Sequence, residues 1–150
     1  MKKEFSIRHR IAFSETDMAG IVHFSNFFRY MELAEGAFFL QMEQELILRE
    51  EGVIHGWPRV RASCDYKAPI SFGDEIEIVL MVNEVKVRAI EFAFSFYRVE
   101  GQERQEKIAR GKMTTVHVVR RTGQGVHDME ALAIPEPFIS KLRDWAVVEG

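Results

Sequence analysis

Two stretches of strict alternation lie back to back in the second half of this chain. Ile76, Ile78, Leu80 and Val82 form the first; Ile90, Phe92, Phe94 and Phe96 form the second, after a short polar link. A period of two over such lengths predicts strands that are apolar on one side. The short link makes them antiparallel neighbours. A sheet of this kind needs a cover for its apolar face. The chain offers one long helical stretch to provide it, from about 24 to 51 (FSNFFRYMELAEGAFFLQMEQELILREE), where Phe27, Met31, Ala34 and Phe38 recur at spacings of three and four. Ser25 or Asn26 is placed to cap its start, Gly36 to weaken its middle and Gly52 to stop it.

Further strands frame this pair. Residues 5–13 alternate, with Phe5, Ile7, His9, Ile11 and Phe13 on one side, and residues 59–68 alternate before Pro69. Ser71 to Asp74 is a turn, 101–106 (GQERQE) a polar hairpin connection, and 108–119 a last long strand. A short amphipathic helix follows from Phe138 to Trp145. The expected class is α+β, with a curved antiparallel sheet of about five strands around one long helix. That helix is apolar around most of its circumference, which implies burial on most sides, by the sheet or by a second subunit. Residues 120–137 carry no recognisable functional pattern.

At 150 residues and 47% hydrophobic content, the chain makes one domain, 1–150, with enough core to dispense with staples. Its single cysteine, Cys64, allows no internal disulfide, which fits a reducing compartment. A formal charge of -3 argues against a nucleic-acid binder. The first residues are too interrupted by charge for a signal peptide, and no apolar run is long enough to span a bilayer, so a cytoplasmic protein is expected. The five histidines show no metal-binding spacing. Neither a phosphate loop nor a nucleophile elbow is present.

The chemistry concentrates between Ser14 and Glu35. Asp17 stands in a loop, Gly20 relaxes the backbone after it, and a helix starts near His23–Phe24–Ser25. Unpaired N–H groups at a helix start can hold a developing oxyanion. A carboxylate beside them can attack a carbonyl, or activate water against it. A plain turn-forming role for Asp17 fits the same residues.

The segment FSETDMAGIVHFSNFFRYMELAE resembles the signature of hotdog-fold acyl-CoA thioesterases, the 4-hydroxybenzoyl-CoA thioesterase family. SCDYKAPISFGDEIEI is similar to the strand–turn–strand that follows the helix there, so the likeness spans roughly residues 5–120. It implies a hotdog fold paired into a homodimer or homotetramer, acting on a thioester of coenzyme A or of an acyl carrier protein. No cofactor is implied, coenzyme A being part of the substrate. Asp17 matches the family's catalytic aspartate, as nucleophile or general base. Phe24 matches the position whose backbone N–H polarises the carbonyl, and Gly20 the glycine under the helix. His23 stands where the family often has Tyr or Trp and is expected to line the acyl pocket, with Phe27. Asn26 matches a recurrent asparagine. Ser63 is expected near ligand, and Lys86 and Arg88 at the coenzyme A phosphates, with Arg59, Arg61, Arg110 and Lys112 as weaker candidates.

Glu32 and Glu35 are the alternative carboxylates, because another branch of the superfamily places its catalytic group within the helix. Both also read as solvated or interface charges. Cys64 is expected to be a buried structural thiol. The rival readings are a non-catalytic acyl-CoA-binding sensor, a dehydratase, whose histidine pattern His23 alone does not supply, and a plain interaction domain.

Overall fold

The computed structural model describes residues 3–146. Its main sheet contains β1 (Phe5–Arg10), β4 (Arg59–Tyr66), β5 (Glu75–Val85), β6 (Ala89–Glu100) and β7 (Glu103–Val116). They lie in the order β1–β5–β6–β7–β4, all antiparallel. The helix α1 (Asn26–Gln41) crosses the apolar face, and α2 (Phe138–Ala146) packs beside β5. The alternation seen in the sequence sets the core. Ile76, Ile78, Leu80, Val82, Ile90, Phe92, Phe94 and Phe96 are all buried against Phe27, Met31 and Phe38 of the helix. This is the five-stranded wrapped-helix arrangement expected.

Several boundaries differ from expectation, each for a physical reason. The helix ends at Gln41, ten residues early. The Gln44 N–H bonds to the Phe39 carbonyl at 2.9 Å and the Glu43 N–H to Leu40 at 3.0 Å, a Schellman closure. Glu43 supplies the left-handed residue, at φ 58, where glycine is usual. The helix also buries one face only. Leu33 and Leu40 stay exposed, so its general apolarity overstated its burial.

The residues beyond Met42 build a second sheet that the sequence did not announce. It comprises β2 (Leu48–Glu50), β3 (Val53–Gly56), β8 (Val118–Arg121) and β9 (Glu130–Ala131), in that order. Gly52, at φ 75, makes the β2–β3 turn rather than a helix stop. The expected strand 108–119 is really two. It breaks at His117, whose N–H makes a last bond to the Arg88 carbonyl before the chain passes to β3 as β8. At the other end, β7 starts at Glu103, so the hairpin turn is only Gly101–Gln102, and 103–106 are strand. The first strand stops at Arg10, and Phe13 turns outward in a short 3-10 turn, 75% exposed.

The edge strand β4 is exposed at every position but Cys64, which is half-buried. Among the described residues, one of its sides has no strand partner.

Candidate active site

The loop before α1 is wound tightly. The Asp17 N–H bonds to the Ile21 carbonyl at 2.8 Å, and the Gly20 N–H to the Asp17 carbonyl at 3.0 Å. Gly20 sits at φ 86 to permit that turn. The Asp17 side chain accepts one bond, from the Ala19 N–H at 2.8 Å to Oδ1. Oδ2 has no partner among the described residues, and the residue is exposed.

The loop is anchored from below by Glu15. Its carbonyl accepts the His23 N–H at 2.9 Å and the Asn26 side-chain amide at 2.8 Å. Its carboxylate accepts the Ala12 N–H at 2.7 Å and lies 2.9 Å from His9 Nε2. Burial opposes ionisation of Glu15, but the Ala12 N–H and His9 prevail and hold it below the usual carboxylate range. The buried Tyr30 phenol beside it is pushed up, by burial and then by the Glu15 charge.

The helix start is closed by backbone rather than by a side-chain cap. Ser25 occupies the cap position without a side-chain cap; its hydroxyl instead meets His23 Nδ1 at 2.8 Å. The Phe24 carbonyl accepts from the Tyr66 hydroxyl at 3.1 Å. The Phe24 N–H has no acceptor among the described residues. The N–H groups of Asn26, Phe27 and Phe28 are taken by the carbonyls of His23, Phe24 and Ser25, so the free donor lies just before the helix, at Phe24.

Asp17 and Phe24 share the wall of a cavity of about 530 Å³, with Ile21, Phe27, Tyr66 and Lys67. The carboxylate, the free backbone donor and an apolar pocket therefore occur together. Lys67 places a cation on the same cavity. Tyr66 and Lys67 were not singled out from the sequence, although the DYKAP motif contains both. The signal was their position directly before Pro69, where β4 ends opposite the helix start.

The remaining sequence candidates lie elsewhere. His23 stacks on Phe24 at 4.6 Å, outside the residues that line this cavity. Asn26 is buried as a loop anchor. Ser63 borders a separate hollow on the outer sheet face with Arg110 and Lys112. Arg110 pairs with Asp65 at 3.4 Å and Lys112 with Glu91 at 3.9 Å, while Arg61 is exposed on β4.

Lys86 and Arg88 are exposed in the β5–β6 hairpin. The loop holding Asp17 bridges to Ser71, at the opposite end of β5. Eleven strand residues separate the two ends, about 35 Å at the usual rise.

Glu35 is fully buried and ion-paired to Arg59, so it is no solvated charge. Burial raises its carboxyl against the opposing pull of Arg59. Glu32 is exposed and lines a different cavity. Burial pushes the Cys64 thiol up to about 11, which makes it a poor nucleophile. Among the described residues, no group of three or more His, Cys, Asp or Glu is placed to hold a metal ion. No helix among them is long and apolar enough to cross a membrane.

Known proteins share this architecture. A family model described as the thioesterase-like superfamily matches residues 11–142. A protein of Aquifex aeolicus (strain VF5) named "Putative esterase" is 31% identical over 148 residues, covering 93% of this chain and 98% of that protein. The 4-hydroxybenzoyl-CoA thioesterase of Pseudomonas sp. strain CBS-3 superimposes with a TM-score of 0.73 at 21% identity, over 91% of this chain and 97% of that one. The 1,4-dihydroxy-2-naphthoyl-CoA thioesterase of Synechocystis does so at 0.76 and 19%, over 95% and 97%. At those identities the superpositions establish a shared hotdog fold.

Proposed function

The chain belongs to the thioesterase-like superfamily, and on that premise we propose that it hydrolyses acyl-CoA thioesters to a carboxylic acid and coenzyme A. One observation carries this reading: Asp17 and Phe24, whose N–H has no acceptor among the described residues, line one apolar cavity. The thioester carbonyl docks on the Phe24 N–H, which stabilises the oxyanion as it forms. Asp17 delivers the attacking oxygen, either directly through a mixed anhydride or by deprotonating water. The acyl or aryl group lies against Phe24, Phe27 and Ile21.

The same reading assigns the unpaired β4 edge to a second copy of the chain. Antiparallel pairing of two β4 strands would extend the sheet across both subunits. It would also bring the Lys86 and Arg88 end of the partner subunit towards this subunit's Asp17 end, where a nucleotide needs cations. Within one chain the separation along β5 keeps them apart.

The test is thiol release from a panel of aryl- and acyl-CoA thioesters, with wild type and Asp17→Asn side by side. The expected result is turnover of at least one thioester and a drop of ~100-fold or more in the folded variant. Equal rates would exclude Asp17 and redirect attention to Glu32 and Glu35. Binding without hydrolysis by the wild type would favour the sensor reading.

A further inference from the structure

The N–H of Phe24 lies in the peptide plane that joins it to His23. The plane that joins Phe24 to Ser25 meets the first at the Phe24 Cα and limits how far it can turn. The first plane is held through its oxygen: the His23 carbonyl accepts the Asn26 N–H at 3.0 Å. The second is held at both ends. Its oxygen, the Phe24 carbonyl, accepts the Phe27 N–H at 3.3 Å and the Tyr66 hydroxyl at 3.1 Å. Its N–H, that of Ser25, donates to His23 Nδ1 at 3.3 Å.

That last bond fixes the state of the His23 ring. The Ser25 hydroxyl meets the same nitrogen at 2.8 Å. A neutral imidazole has one donor nitrogen and one acceptor. A backbone N–H can only donate, so Nδ1 is the acceptor and the ring proton sits on Nε2. The ring thereby does what an asparagine side chain does in many turns, accepting the N–H two residues further on.

Packing gives His23 no other task. It is exposed, it lies flat on Phe24 at 4.6 Å between ring centres, and it is not among the residues that line the Asp17 cavity. The pocket-lining role expected from the sequence therefore does not account for it.

From this geometry we infer that His23 is a positioning residue: its Nδ1 holds the Ser25 N–H, and so holds the turn that presents the Phe24 N–H to the developing oxyanion. The inference rests on the hydrolase reading, which makes that N–H the oxyanion donor. Kinetics distinguishes this role from a contact with substrate. A donor held in place acts on the transition state, whatever the acyl group. A pocket wall acts on binding, and its effect changes with the acyl group.

Two variants separate the ring from its acceptor. His23→Phe keeps a ring against Phe24 and has no acceptor. His23→Asn gives up the ring and keeps an acceptor for the N–H two residues on. Thermal unfolding confirms that each variant is folded. On the thioesters that wild type hydrolyses, kcat of His23→Phe is expected to fall about threefold to tenfold, the worth of one hydrogen bond. The factor is expected to be the same for every acyl group, with KM almost unchanged. His23→Asn is expected to recover most of the loss. Nitrogen–proton correlation spectra of histidine-labelled protein above neutral pH, with His23→Asn assigning the signal, are expected to show the His23 proton on Nε2. Asp17→Asn is expected to keep that tautomer while losing turnover. The inference is overturned if His23→Phe matches wild type, if His23→Asn is as slow as His23→Phe, if the loss appears in KM and follows the acyl group, or if the proton is on Nδ1. Wild type that hydrolyses no thioester overturns the hydrolase reading itself and this role with it, and a proton on Nε2 would then leave only the hydrogen bond standing.

Discussion

The hydroxyl of Tyr66, at the end of the edge strand β4, donates a 3.1 Å hydrogen bond to the carbonyl of Phe24 in the turn that starts α1. The bond ties the turn bearing the proposed oxyanion donor to the sheet. Tyr66 also stands edge-on to Phe24 and Phe27, at 6.3 and 5.2 Å between ring centres. Tyr66→Phe keeps those ring contacts and removes only the hydrogen bond. It is expected to lower kcat about fivefold to tenfold, close to 1 kcal/mol, with KM almost unchanged. Steady-state kinetics on the thioester found in the panel measures this. A rise in KM at constant kcat would assign Tyr66 to substrate binding instead.

The end of α1 gives a stability prediction. Glu43 holds a left-handed conformation at φ 58, which costs a residue with a Cβ about 1–2 kcal/mol. Its N–H serves the closure of the helix, so the conformation cannot relax. Glu43→Gly removes the strain and is expected to stabilise the fold by about 1 kcal/mol, a rise in Tm of roughly 2–4 °C. Thermal unfolding followed by circular dichroism checks it. A fall in Tm would mean that the Glu43 side chain does more than tolerate its backbone.

Glu43 also explains why the helix end was hidden. A Schellman closure is usually announced by glycine, and here Gly52 stands nine residues too late. The apolar Leu46 and Ile47 continue the helical pattern although they line a hollow beside the second sheet. Strands of two to four residues, such as β2, β3 and β9, are too short to show a period of two. The second sheet therefore could not be read in advance. The β5 and β6 pattern was legible because one face is buried along nearly its full length. Asp17, Gly20 and Phe24 were legible because they are neighbours in sequence. Tyr66 and Lys67 meet them only through the sheet.

His117 makes stability depend on pH. It is buried where β7 gives way to β8. Its Nδ1 lies 3.0 Å from the Ala133 carbonyl and therefore carries the proton, which leaves Nε2 to accept from His55 at 3.1 Å. Glu50 meets the far side of His55 at 3.3 Å. Burial holds the His117 pKa below its ordinary 6.5, with a smaller contribution from His55, against the pull of the Ala133 and Leu132 carbonyls. A histidine depressed in the folded state is neutral there while the unfolded chain takes up a proton. Its contribution is present above pH 6.5 and is lost as pH falls through that value, at no more than about 1.4 kcal/mol per pH unit. Denaturant unfolding at about pH 7.5 and 5.5 is expected to show a smaller pH-dependent loss in His117→Gln than in wild type. An equal loss in both would place the acid sensitivity elsewhere.

At Gly111, β7 passes close to Met31 of α1 and to the backbone of β4. A Cβ built there would lie 2.3 Å from Met31 Cε and 2.9 Å from the Ser63 carbonyl oxygen. The end of Met31 is flexible and can move aside. The Ser63 oxygen is backbone in β4, adjacent to the Cys64–Gly111 pair, and yields only if the β4–β7 ladder opens. Gly111→Ala is therefore expected to cost about 1–3 kcal/mol by denaturant unfolding. The same displacement would disturb the edge proposed to pair with a second copy. Sedimentation of the variant is expected to show a weaker self-association than wild type. A variant as stable as wild type would mean that β4 can shift without penalty, and the edge would then be too compliant to set the geometry of a shared site.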